Sequence, residues 1–145
     1  MKVEREIDMA ASARDIYDVV MDPDRLKDWV TIHKSLEDAP KGNVKKGSTL
    51  TQYLKLAGRS FKVEWTVTEN DPAKRVVWDG KGPLRSKAKV VYDMSDSSGD
   101  STHFVYLNEY ELPGGALGKL AGPAVRKVTG GELDASLEKL RKLVE

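Results

Sequence analysis

The sequence contains no cysteine, which excludes a disulfide framework, thiolate catalysis and any metal site built on Cys. Histidine is nearly as scarce, with only His33 and His103. A transition-metal centre would have to be assembled from scattered carboxylates, for which the chain shows no helical or loop pattern, so no metal is expected. Neither sign of charge dominates: 24 Lys and Arg stand against 23 Asp and Glu. A formal net charge of +1 creates no global field to gather nucleic acid or an acidic surface. No apolar run suggests a membrane span, so no stable membrane insertion is expected. Met1 to Ile7 is charged rather than apolar, so no secretory signal is read and a cytoplasmic location is expected. No phosphate loop is present either, since Pro113-Gly114-Gly115-Ala116-Leu117-Gly118 lacks both a Rossmann context and a Lys-Ser/Thr ending. No nucleotide or other cofactor is expected. Ser12, Ser35 and Ser48 fall in caps, turns or strands without a nucleophile elbow, which leaves acyl-enzyme chemistry without support.

What remains is enough for one domain spanning residues 1–145. Hydrophobic residues at 39% and charged residues at 32% can fill a core and still solvate its surface. Val3 to Met9 places Val3, Arg5 and Ile7 between Glu4, Glu6 and Asp8, a half-exposed strand whose apolar phase Arg5 interrupts. Ser12, three residues before Asp15, starts a short helix with Ile16, Val19 and Val20 on one face. Asp22-Pro23 ends it and opens a second, with Leu26 and Trp29 as its apolar stripe. From about Ser35 to Glu111 the period becomes two, closed by turns at Lys41-Gly42-Asn43, Ala57-Gly58, Asn70-Asp71-Pro72 and Ser97-Ser98-Gly99. Phe61 to Thr68, Val76 to Trp78, Leu84 to Met94 and Thr102 to Glu111 read as strands of an antiparallel meander. After Pro113-Gly114-Gly115 the spacing of Leu133, Leu137, Leu140 and Val144 predicts a long final helix. Gly130-Gly131 predicts a bend in it, because each glycine costs about 1 kcal/mol relative to alanine.

The apolar first helix ending in Asp22-Pro23, Trp29 soon after, the Gly99 to Thr102 turn, and Glu109-Tyr110-Glu111-Leu112-Pro113-Gly114-Gly115 running into the terminal helix carry a resemblance. The chain resembles the START-like, or SRPBCC, superfamily and, within it, the polyketide cyclase/dehydrase and lipid transport group. That resemblance implies an α+β helix-grip fold: a curved antiparallel β-sheet wrapped around a long C-terminal helix, with two short helices after the first strand. It also implies an elongated cavity for apolar ligands. Relatives of such breadth, from aromatase/cyclases to sterol carriers and a ribosome-associated toxin, leave the function to the site rather than the fold.

If Trp65 sets the inward phase, Leu50, Gln52 and Leu54 face inward on one strand, and Ser86, Ala88, Val90, Tyr92 and Met94 on another. The last strand then turns Phe104, Tyr106, Asn108 and Tyr110 inward. The candidate ligand-binding residues are Gln52, Leu54, Trp65, Trp78, Ser86, Tyr92, Phe104, Tyr106, Asn108 and Tyr110, apolar and aromatic surface with a few hydrogen-bonding groups. The alternative is that these aromatics complete a core and their hydroxyls reach backbone or buried water. The glycine bend, with Leu117 to Pro123, reads either as a gate over the cavity mouth or as an ordinary helix interruption. Trp29 is expected to anchor the small helices on the sheet. His33, in the loop after the second helix, and His103, on the outer phase, are not expected to meet over a substrate. Arg85, Lys87 and Lys89 alternate on the outer phase as solvated positions, without the interleaved aromatics that nucleic-acid stacking needs.

The leading expectation is a carrier or sensor that binds an apolar small molecule, such as a lipid, isoprenoid quinone or aromatic polyketide. The alternative is a polyketide cyclase/dehydratase acting on a poly-β-ketone, with Tyr106, Asn108 and Tyr110 polarising a carbonyl. That reading lacks a general base, since Asp79 and Glu109 fall on the outer phase. A second alternative is a protein- or ribosome-interaction module using the outer sheet face.

Overall fold

Alternating residues build most of this molecule. The computed structural model describes residues 1–42, 44–97, 99–111 and 123–145. Seven strands form one antiparallel sheet in the order β1-β7-β6-β5-β4-β3-β2: β1 Lys2–Met9, β2 His33–Glu37, β3 Thr49–Leu56, β4 Arg59–Asp71, β5 Arg75–Lys81, β6 Lys87–Asp96 and β7 Thr102–Glu111. Apart from β1, each strand pairs with its chain neighbour, so these connections need no crossover. At Ala57-Gly58 both φ angles are positive, 51° and 77°, matching the twist of a two-residue hairpin. The sheet curves around helix α3, Pro123–Val144, and two short helices follow β1: α1 Ala13–Val20 and α2 Leu26–Trp29. This is the helix-grip architecture.

The helix starts follow their side-chain chemistry. Ser12 Oγ accepts from the Asp15 backbone N–H at 3.1 Å, and Asp22 Oδ1 accepts from that of Asp24 at 3.0 Å, satisfying donors that a helix start leaves unpaired. Pro23 begins a 3-10 turn, Pro23–Arg25, that runs into α2. The inner face of α1 (Ile16, Tyr17, Val19, Val20) joins Met9, Trp29, Val67, Val76 and Phe104 in the core, and α3 contributes Leu133, Leu137 and Leu140.

Three expectations are corrected. Helix α3 runs unbroken through Gly130-Gly131. The Arg5 guanidinium crosses so close to Gly130 that a Cβ there would collide with it, and Arg5 Nε reaches Asp134 Oδ1 at 3.2 Å. A glycine in this helix thus makes room for a charged side chain from β1, which also explains why Arg5 interrupts the apolar phase. The strand expected from Leu84 begins only at Lys87, because Pro83–Arg85 forms a 3-10 turn with Leu84 and Arg85 at φ 56° and 62°. His33 is the first residue of β2, not a loop residue. The Pro113-Gly114-Gly115 turn and the proposed gate from Leu117 as far as Gly122 lie outside the described residues.

Candidate functional site

The cross-strand register sorts inward side chains into rows. Val67, Trp78, Val90, Asn108 and Val3 form one row across β4, β5, β6, β7 and β1. Leu50, Trp65, Gly80, Ala88 and Tyr110 form the next, from β3 to β7. Val76, Tyr92, Tyr106 and Arg5 form a third. A bulge between Val67 and Glu69 changes the phase within β4, which keeps Val67 and Asn70 in the partly or wholly buried set while Thr68 and Glu69 are exposed. In the second row, Gly80 and Ala88 stand between two large rings, and the Trp65 ring lies over Gly80, where a side chain would collide with it.

Among the described residues, the interior between sheet and helices holds two small cavities rather than one elongated chamber. The first, about 50 Å³, is lined from the sheet by Gln52, Leu54, Trp65, Trp78, Tyr92, Tyr106, Asn108 and Tyr110, and from the helices by residues including Met21, Pro23 and Leu26. The second, about 60 Å³, is lined by Leu54, Ser86, Ala88, Tyr110 and Val125 among others. Ile32, Leu54 and Tyr110 line both and form the wall between them. Each is far below the roughly 300–1,000 Å³ of an ordinary small-molecule site, because the aromatic rings occupy much of the concavity. Phe104 lines neither; it is fully buried, with its ring 5.8 Å from Tyr92. Trp29 packs at 5.9 Å from Tyr92 and 5.6 Å from Tyr106, which places it under the aromatic wall as an anchor.

The polar groups are ordered. Trp65 Nε1 donates to Gln52 Oε1 at 2.9 Å, so the other end of that amide, Nε2, donates to His33 Nδ1 at 2.8 Å. Tyr110 donates its hydroxyl proton toward Asn108 Oδ1 at 3.4 Å. Asn108 Nδ2 is buried and has no hydrogen-bond partner among the described residues, and the same holds for Trp29 Nε1. Burial pushes the Tyr106 phenol up to about 12. Burial also raises Tyr92 and Tyr110, each further raised by Tyr106. All three phenols therefore remain protonated near neutral pH and act as neutral hydrogen-bonding groups rather than bases. On the outer face, His103 Nδ1 lies 2.7 Å from Asp8 Oδ1, and that hydrogen bond holds its pKa above the usual imidazole value. Asp79 faces Lys89 at 3.9 Å. The two histidines do not share a site.

Sequence reasoning missed the helical wall and His33. The residues Val20, Met21, Pro23, Leu26 and Val30 read equally well as core, and alternation within the sheet carries no information about them. His33 gives a testable pH dependence. Burial lowers its folded-state pKa, so the unfolded chain takes up the proton more readily. Stability from this group is fully present above the unfolded value of about 6.5 and falls as pH drops through the folded value. Protonated Nδ1 cannot accept from Gln52, and a rotated Gln52 amide would deprive Trp65 Nε1 of its acceptor. The Trp65 indole N–H resonance is expected to shift as pH falls below about 6.5 in the wild type and to stay fixed in His33→Phe. Identical titrations in both proteins would contradict this coupling.

Comparison with known proteins places the site in context. An uncharacterized protein of Mycobacterium tuberculosis is 27% identical over 141 residues, covering 97% of this chain and 96% of the relative. Among solved structures, a START superfamily protein from Mycobacterium smegmatis superposes with a TM-score of 0.76 at 22% identity, covering 99% of this chain and 96% of the other. The Zhui aromatase/cyclase of a Streptomyces species gives 0.75 at 17% identity, with 99% and 93% covered. These likenesses show a shared fold. The family model described as polyketide cyclase/dehydrase and lipid transport matches residues 1–145, and the chain belongs to that family.

Proposed function

We propose that this protein is a carrier or sensor that binds one apolar small molecule, a lipid, isoprenoid quinone or aromatic polyketide, between the sheet and α3 without changing it. One observation carries the reading: the Asn108 amide nitrogen is buried without a partner among the described residues, on a residue that lines an otherwise largely apolar and aromatic cavity. A buried donor left unpaired costs about 1–3 kcal/mol, and an acceptor oxygen on a ligand would recover part of that. Binding requires the wall of Ile32, Leu54 and Tyr110 to shift so that the two cavities join. Ile32 follows Thr31, whose N–H donates to Ser136 Oγ on α3 at 3.1 Å, so movement of this wall is coupled to the helix.

Titration of the purified protein with a carbonyl-bearing ligand of this class, such as an isoprenoid quinone, tests the reading. Asn108→Leu is expected to weaken binding by about two- to thirteenfold, the worth of one net hydrogen bond of about 0.5–1.5 kcal/mol. Unchanged affinity in that variant would contradict the role given to Asn108.

A cyclase/dehydratase is the second reading. The protonated Tyr106 and Tyr110 hydroxyls and the Asn108 amide are favoured as groups that polarise a ketone. The two readings separate kinetically: substitutions of Tyr106 or Asn108 depress turnover more than binding in an enzyme, and have only binding to depress in a carrier.

A further inference from the structure

The turn between β5 and β6 holds an exposed hydrophobe in a strained conformation. Leu84 is 78% exposed, and both it and Arg85 adopt left-handed backbone angles, φ 56° and 62°, each unfavourable for a side chain with a Cβ. Residues on either side, Gly82, Pro83, Ser86 and Lys87, line the second apolar cavity, so Leu84 projects outward beside that cavity. The antiparallel registers place the β3–β4 turn at the same end of the sheet. Exposed cations cluster there: Lys55, Arg59 and Lys62 from one hairpin, Lys81, Arg85 and Lys87 from the other. Lys81 and Lys87 stand directly opposite each other, an arrangement that repels in water. Glu64 beside Lys81 and Glu111 beside Lys87 offset only part of this charge. Among the described residues, none of the six cations takes part in an ion pair.

We propose that this end of the molecule docks reversibly on an anionic lipid surface, with Leu84 entering the interface and the surrounding lysines and arginines held at the headgroups. The chemistry complements such a surface on both counts: an apolar tip that gains by leaving water, and a basic ring that gains from anionic headgroups. An acidic protein surface would satisfy the cations but leave the strained leucine unexplained. Docking here also brings the wall of the second cavity against the bilayer, where an apolar ligand resides. No described helix is long and apolar enough to cross a membrane, and the proposed attachment is peripheral.

Co-sedimentation with phosphatidylcholine vesicles, with and without phosphatidylglycerol, tests the proposal in the full chain. The wild type is expected to bind the anionic vesicles, to lose them as salt is raised, and to ignore pure phosphatidylcholine. Leu84→Gly keeps the backbone conformation at no steric penalty, so its thermal midpoint should equal or exceed that of the wild type while vesicle affinity falls about tenfold. Arg85→Gln should reduce affinity about fivefold, the effect of one basic residue near a charged bilayer. Failure to bind anionic vesicles, or equal binding by Leu84→Gly, overturns the proposal. Binding to polyglutamate without binding to vesicles overturns it too, and assigns the basic end to an acidic protein partner.

Discussion

Replacing Trp29 by alanine is expected to lower the free energy of unfolding by about 3–5 kcal/mol, the range for removing a large aromatic side chain from a packed core. Trp29 has no exposed surface and ends α2, where its ring meets Tyr92 of β6 and Tyr106 of β7. Its loss would leave a void bounded by two buried phenols and detach α2 from the sheet. Since domains of this size are stable by only about 5–15 kcal/mol, the variant should unfold at far lower denaturant concentration. Trp29→Phe should be much milder, because the indole Nε1 makes no hydrogen bond among the described residues and a ring remains between the tyrosines. Urea titrations of both variants check this, and equal losses would mean that ring packing is not the source of the effect.

The second large effect belongs to Gly80. A Cβ at this position would lie 2.7 Å from Val63 Cγ1 and 2.8 Å from two carbons of the Trp65 ring, closer than side chains tolerate. Gly80→Val therefore has to displace Trp65, and overpacking of this kind costs about 1–3 kcal/mol. The displaced indole would lose its hydrogen bond to Gln52 and enter the first cavity, so ligand binding is expected to fall below detection while the protein remains folded. Glycine serves here by lacking a side chain, not by its backbone freedom. Circular dichroism together with a ligand titration checks the prediction; a folded Gly80→Val that binds as tightly as the wild type would contradict the assigned site.

The same contrast explains what the sequence disclosed. Strand β7 was legible end to end, from Thr102 to Glu111, because Phe104, Tyr106 and Asn108 alternate with residues of the other face and nothing interrupts their phase. The inward placement of Gln52, Trp65, Tyr92 and Tyr106 followed from the same period, and the four line one cavity. Phe104 has the right phase but lies away from both cavities, since alternation fixes the face of a sheet and not the position along it. The unbroken α3 was hidden because Gly130 answers to Arg5, more than a hundred residues away in the chain. His33 was hidden because an edge strand as short as His33–Glu37 carries too little pattern to separate from a loop. The division of the interior into two small cavities depends on how Ile32, Leu54 and Tyr110 meet, a tertiary contact with no local signature.

Amide and side-chain chemical shifts recorded during titration with an isoprenoid quinone or an aromatic polyketide test the central proposal most directly. The account predicts perturbations at Gln52, Trp65, Asn108 and Tyr110, accompanied by Ile32 and Leu54 as the wall between the cavities moves. Perturbations confined to Thr66, Asp79 and Lys89 on the outer face, with the interior resonances unmoved, would contradict it.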